Sequence, residues 1–415
     1  MGVEESAANE DQFTARAPGE FDDDDDDDGL FSAGESRSSK YSRIDGEKMQ
    51  AFMEDNPLED EDGGSIIRAN ITKMPYNGYW SIKVPTGKCP PPRTGHFTAY
   101  SDELRTCFVG YGQKRNGELL NDVWAFDVDD YKWTKLRLAG DPILPRAGCV
   151  ATMMGNYIVV FGGEADQGRY FSELHTIDVT TGEVLIAEAK GSQPAPRRNP
   201  VMAIYRKRLY IWGGFNGSNL SELNVLDFAS MKWGIVDTSI PGRPTGAWAV
   251  SKQRIFVYAG GDKTKDFAVV DMKNCNVSSV MSQGSPPNGK VQFAGMVKAG
   301  GYLLFFGGRS KSNFTMVFAC ELSTLWWFVF FVAPDGETTS LSDGKMSTDG
   351  VFELPRTDSF SSLYDAEKRQ VMAFLGHPHK TPTPIFVLSV GQALSHLNLR
   401  EDMMAMLEMS LDAYD

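Results

Sequence analysis

One short pattern recurs along this chain and restricts what it can fold into: a run of β-branched and aromatic residues that ends in glycine, usually paired. Tyr157-Ile158-Val159-Val160-Phe161-Gly162-Gly163 is the clearest copy. Leu209 to Gly214, Ile255 to Gly261 and Tyr302 to Gly308 are close relatives, and degenerate copies stand at Thr106 to Gly112 and Val371 to Gly376. The first glycines of the four full pairs, taken as Gly162, Gly213, Gly260 and Gly307, are 51, 47 and 47 residues apart. Runs of this composition and length are strands, and self-similarity at such a period marks a repeat architecture. A glycine pair at a strand end lets the chain turn through positive φ, where a side chain clashes.

Each unit carries further marks. Ahead of the strand comes a Pro-Arg step: Pro92-Arg93, Pro145-Arg146, Pro196-Arg197 and Pro355-Arg356, with Gly242-Arg243-Pro244 as a variant. Behind it comes a strand ending in an acid, then a turn, then often tryptophan, as in Val123 to Asp127 with Trp133 and Leu223 to Asp227 with Trp233. This layout resembles the kelch repeat, and the resemblance covers roughly Tyr76 to Val390. It implies an all-β propeller of four-stranded blades, related to the central domain of galactose oxidase.

Tyr79 to Pro85 looks like the fourth strand of a blade without its first three. The sixth unit supplies a first strand near Thr357 to Tyr364, a second near Val371 to Leu375 and a third at Ile385 to Val390, and then stops. The fragments complete each other. The expectation is a six-bladed ring closed by the N-terminal strand, which leaves no open seam of edge strands. The insertion 333–353, rich in Gly, Ser, Thr and Asp, reads as a surface loop without strands.

Charge divides the chain into three parts. Residues 1–75 hold 21 acids and 7 bases, residues 391–415 hold 5 and 1, and the middle, 76–390, holds 29 and 33. The body is therefore mildly basic between acidic tails, which disfavours nucleic acid as its partner. Residues 1–75, with the unbroken run Asp22 to Asp28, read as a disordered tail, because like charges repel and little apolar area is available to bury. About 50 residues of flexible chain between Asp28 and the propeller span roughly 40 Å, enough for the acidic run to compete for a basic face. In 391–415, Leu397, Met404, Leu407 and Leu411 fall on one stripe behind a helix cap at Asn398, which predicts a short amphipathic helix. Neither a signal-peptide core nor a stretch of about 18 apolar residues is seen, so the expected compartment is the cytoplasm, with the nucleus as the alternative. The five cysteines lack metal-ligand spacing and read as reduced thiols.

Antiparallel strands put the loop between strands two and three of each blade on the same face as the segment entering the next. That face is expected to receive an arginine from five units, Arg93, Arg146, Arg197, Arg243 and Arg356, with Asn288 in the fifth. Its loops add Lys114, Arg115, Arg169, Lys263, Lys265, Arg309, Lys311 and Lys380. Arginine in this density suits bidentate recognition of carboxylates or phosphates. The expected function is a protein-interaction scaffold, with a monomeric propeller that binds an acidic or phosphorylated segment of a partner. The competing reading of the Pro-Arg steps is structural, each guanidinium bonding a neighbouring loop. The kelch resemblance also admits a cytoskeletal or vesicle-trafficking effector, and, in another class, a metal-dependent oxidase or sugar-modifying enzyme. The galactose-oxidase type uses His and Tyr ligands with a cross-linked Cys–Tyr pair. Here His96 and His175 belong to different units and His377 and His379 share a loop, a poor metal set. No nucleophile elbow, phosphate loop or dinucleotide fingerprint occurs. The expectation is no enzyme and no cofactor.

Overall fold

The computed structural model describes residues 78–390, apart from 261–264, 349 and 381–382. The acidic tail 1–75 and the helix expected in 391–415 lie outside the described residues. Within them the chain is an all-β propeller. Sheet one comprises Phe97–Ser101, Thr106–Gly110, Val123–Asp127 and Lys132–Lys135, paired antiparallel in chain order. Sheets two to five repeat this arrangement from Val150–Met154, Val201–Tyr205, Ala247–Ser251 and Gly295–Ala299 onward. Sheet six takes three strands from the end of the described chain, Ser361–Asp365, Gln370–Phe374 and Ile385–Ser389, and its fourth from the beginning, Gly78–Lys83. The closing pair is antiparallel, with Tyr79 opposite Ser389 and Lys83 opposite Ile385.

The second strands are buried almost throughout. Ile158 to Phe161 and the whole of Tyr302–Phe306 are enclosed because both faces of each sheet are covered by neighbouring sheets. Outer strands alternate instead; in Lys132–Lys135 only Trp133 points inward. Six apolar clusters result, each shared by two consecutive sheets. The one holding Trp124, Phe126 and Trp133 of sheet one with Met372, Phe374 and Val387 of sheet six closes the circle. Arg105 reinforces that closure through two bonds to the buried Asp365, at 2.8 and 2.7 Å, and is itself held by two to Asp129, at 3.0 and 3.3 Å. The acid that ends strand three shapes the turn that follows. Asp127 accepts from the N–H groups of Asp129 and Asp130, and Asp178, Asp227 and Asp271 repeat the device.

The insertion 333–353 corrects the sequence expectation. It is not a strandless loop, and with it the structure holds seven sheets of three or more strands rather than six. Phe352–Pro355 pairs with Lys345–Met346 on one side and Phe314–Thr315 on the other, in a three-stranded sheet beside sheets five and six. Val332–Pro334 runs parallel to the closing strand, and Thr339 Oγ1 donates to the Trp80 carbonyl at 2.7 Å. Phe352 and Leu354 join the core around Trp80. The alternation that makes this segment a clasp is too short to read against its Gly- and Ser-rich surroundings. A separate two-stranded ribbon, Glu164–Ala165 with Arg169–Tyr170, lies in the loop of sheet two.

Candidate functional site

The face expected to carry function gathers the loops after strand two and the segments that enter each sheet. They are bridged to each other: Thr94 to Gln113, Ala147 to Glu164, Arg198 to Phe215, Gln292 to Arg309 and Asp358 to His377. Each strand-two turn uses two consecutive residues with positive φ. These are Tyr111-Gly112, Gly162-Gly163, Gly213-Gly214, Ala259-Gly260, Gly307-Gly308 and Leu375-Gly376. The fourth pair corrects the sequence register, since Ala259 rather than Gly260 matches Gly162. The second residue must be glycine. At Gly112, Gly163, Gly260, Gly308 and Gly376 its N–H donates to the segment entering the next sheet, as from Gly112 to Arg146 and Gly163 to Arg197, and from sheet six to sheet one, Gly376 to Arg93. A Cβ on Gly163 would stand 2.5 Å from Cys149 Sγ.

The same bonds fix which entering residues are equivalent. Gly260 donates to the Val291 carbonyl and Gly308 to that of Thr357. Val291 and Thr357, not Asn288 and Arg356, therefore occupy the arginine position of sheets five and six. The Pro-Arg step at 355–356 is one residue out of register, and Arg356 points to solvent with one bond, from Nη1 to the Ser310 carbonyl at 3.2 Å.

In sheets one to four the arginines are internal. The side chains of Arg93, Arg146 and Arg197 are 0, 1 and 0% exposed. Each Nε donates two residues back, to Pro91, Leu144 and Ala195, and each Nη1 donates to a carbonyl of the strand-two turn, Tyr111, Gly162 and Gly213. An acid at the start of strand three, one residue ahead of it in sheets one to three and its first residue in sheet four, completes each set. Arg93 meets Asp122 at 2.6 Å, Arg146 meets Glu173 at 2.6 Å, Arg197 meets Glu222, and Arg243 meets Asp266 at 2.9 Å. Burial pushes the Asp122 carboxyl up, but the bonds from Arg93 outweigh it and hold it below the usual range. Burial lowers Arg197 against the opposing pull of Glu222. The residues matching these acids in sheets five and six are Met316 and Pro384, so arginine and acid are lost together. Sequence reasoning missed the acids, although their place at the start of strand three was visible.

The five-arginine cationic ring is thus corrected to four stitches within the fold. Lys114 pairs with Glu118, and Lys263 lies outside the described residues. Arg115, Arg169, Lys265, Lys311, Arg356 and Lys380 are exposed, and no carboxylate among the described residues pairs with them. Arg309 is half-exposed, donating to the buried Asp358 at 3.1 Å and lying over Phe293. Four of the six, Arg115, Lys311, Arg356 and Lys380, fall with Arg309 on the loops of sheets five, six and one. Among the described residues the loops after strand two of these sheets carry Glu118 and Asp122, and the segment just before sheet six carries Asp358, each already paired; the insertion ahead of it adds Asp335, Glu337, Asp343 and Glu353. His377 and His379 stand edge to face in the same sector, 4.4 Å between ring centroids. Burial, then the neighbouring His377, lowers the pKa of His379.

His96 and His175 serve packing. His175 is fully buried in strand three of sheet two and bonded through Nε2 to the Tyr111 hydroxyl at 2.8 Å. His96 Nε2 lies 2.6 Å from Ser361 Oγ, across the junction of sheets one and six. Among the described residues no three His, Cys, Asp or Glu side chains group as metal ligands. No helix among them is long and apolar enough to cross a membrane.

Comparison with known proteins agrees with this architecture. Residues 70–261 match the family model of the KLHDC2/KLHL20/DRC7 Kelch-repeats domain. The chain is similar to Acyl-CoA-binding domain-containing protein 4 of Arabidopsis thaliana, 24% identical over 65% of this chain and 43% of that protein. It is similar to Kelch repeat-containing protein 2 of Saccharomyces cerevisiae, 29% identical over 32% of this chain and 16% of that protein. Host cell factor 2 of Homo sapiens is 24% identical over 44% of this chain and 26% of that protein. The chain spans less than half the length of each of these relatives. With repeat signature, strand order and domain match in agreement, this chain carries a kelch-repeat β-propeller.

Proposed function

We propose that the propeller is a protein-interaction module whose ligand is an acidic or phosphorylated segment, held by the loops of sheets five, six and one. The supporting observation is the cluster of Arg115, Arg309, Lys311, Arg356 and Lys380 near loop carboxylates, Glu118, Asp122 and Asp358, that are already engaged. Of the four internal arginines only Arg93 holds one of those loops, that of sheet one. The three-stranded sheet of the insertion braces the loop that carries Lys311. Guanidinium groups free of carboxylate partners suit carboxylate and phosphate oxygens, and an exposed site of this kind weakens with salt. The kelch-containing relatives fit a binding role.

The test is titration of the full chain with a fluorescent heptaaspartate peptide at low salt. The double variant Lys311→Glu/Arg356→Glu is expected to weaken binding at least tenfold, about 1.4 kcal/mol. Unchanged affinity would overturn the assignment of the ligand to this sector.

A further inference from the structure

The linkers between sheets do more than connect. Each leaves the outer strand of one sheet and, in four cases, lays a short parallel segment along the outer strand of the next. Ala139–Gly140 pairs with Glu183 and Val184, Lys190–Gly191 with Lys232 and Trp233, and Gln283–Gly284 with Trp326 and Trp327. Val332–Pro334 covers the closing strand of sheet six. Thr86, after the closing strand, bridges Lys132 of sheet one in the same sense.

The geometry is uniform. The residue before the glycine donates to the carbonyl two residues ahead of the inward-pointing Trp or Val, as from Lys190 to Met231 at 2.8 Å and from Gln283 to Leu325 at 3.0 Å. The residue after it donates to the carbonyl of that Trp or Val, as from Asp141 to Val184 and from Ser285 to Trp327, both at 2.9 Å. Glycine between them has positive φ, and a Cβ would stand 2.5, 2.3 and 2.3 Å from that carbonyl oxygen at Gly140, Gly191 and Gly284.

Sheet four departs from this rule. Its incoming linker, Asp237 to Gly242, is short and lacks the glycine segment, and its outer strand Asn276–Met281 is a terminal strand with no fifth neighbour among the described residues. The strand has six residues and no charge, and Met281 is 67% exposed. Proteins ordinarily blunt such an edge with charge, proline or a cover, because its unpaired backbone groups template another strand. We propose that the outer edge of sheet four is a second binding site, which takes an extended partner segment in parallel register by strand addition. The covered edges at Gly140, Gly191 and Gly284, with Thr86-Gly87-Lys88 beside sheet one, define the ligand: a residue of any kind, then glycine, then Ser, Asp or Lys. Its amides meet the carbonyls of Cys275 and Val277, the counterparts of Leu325 and Trp327, and its first carbonyl accepts from the Val277 N–H.

The probe is a fluorescent peptide that reproduces residues 188–194 of this chain, Glu-Ala-Lys-Gly-Ser-Gln-Pro, titrated into the full chain. Saturable binding is expected, at least tenfold weaker for the same peptide with valine in place of its glycine. A chain in which residues 237–242 are replaced by the sequence of 187–196 covers the edge itself and is expected to lose the peptide. No saturable binding, or equal binding of the glycine and valine peptides, overturns the proposal, and needs no folded variant. Hydrogen exchange of the Val277 amide without peptide is expected to be fast. Slow exchange independent of concentration would mean that another segment of this chain holds the edge; slow exchange that grows with concentration would mean a second copy does. Either replaces the partner segment.

Discussion

Removing one internal arginine separates its structural role from a ligand role. Arg197 is the best-enclosed case: fully buried, with Nε donating to the Ala195 carbonyl at 2.8 Å, Nη1 to the Gly213 carbonyl at 2.9 Å and Nη2 to Glu222. Arg197→Met keeps much of the side-chain volume and leaves two carbonyls and one carboxylate without their donor. Breaking a buried pair by deleting one partner costs about 3–5 kcal/mol. The Glu222 side chain is 20% exposed, so water rehydrates part of it, and the loss belongs at the lower end, about 3 kcal/mol. Glu222→Gln keeps an acceptor for the guanidinium and is expected to cost about 1–2 kcal/mol. The double variant Arg197→Met/Glu222→Met is expected to cost less than the sum of its singles by about 1–3 kcal/mol, since neither group is left stranded. Urea unfolding of the full chain, followed by tryptophan fluorescence, reads all three. Heptaaspartate binding is expected to be unchanged in each. An Arg197→Met chain within about 1 kcal/mol of the parent that no longer binds the peptide would refute the structural role.

Two further outcomes follow from the packing. His175 is held neutral, its pKa lowered to about 3 by burial and, less, by the Arg146 cation. Its folded pKa lies below the unfolded value of about 6.5, so its contribution is present above that value and is lost as pH falls towards 3. From pH 7 to 5 the loss from this group is about 2 kcal/mol, and His175→Gln is expected to flatten the pH dependence of the urea midpoint by that amount; parallel profiles would show that His175 does not resist protonation. Thr339→Val removes the bond to the Trp80 carbonyl and is expected to cost about 1–3 kcal/mol and to speed hydrogen exchange in Gly78–Lys83. Unchanged exchange there would mean that the insertion does not clasp the closing strand.

What the sequence made legible were needs met within a few residues. A strand must be apolar on both faces to sit between sheets, a turn through positive φ favours glycine, and an Asp at the end of strand three caps its own turn. Each leaves a local signature, and together these recovered the strand order and the closing pair. Register was less visible. Ala259 takes the place of a glycine, so the neighbouring Gly260-Gly261 pair suggests a frame one residue late, and Pro355-Arg356 imitates a step that the backbone places at Thr357. Both were resolved only by which N–H reaches which carbonyl across two sheets. The chemistry of the face was hidden for the same reason. Arg93, Arg197 and Arg243 meet their acids 29, 25 and 23 residues away, at separations that change with loop length. A periodic reading sees five arginines and counts five charges. Only the pairing shows that four are already neutralised, and that Lys311, Arg356 and Lys380 lie where Met316 and Pro384 replace the acids and the stitching stops.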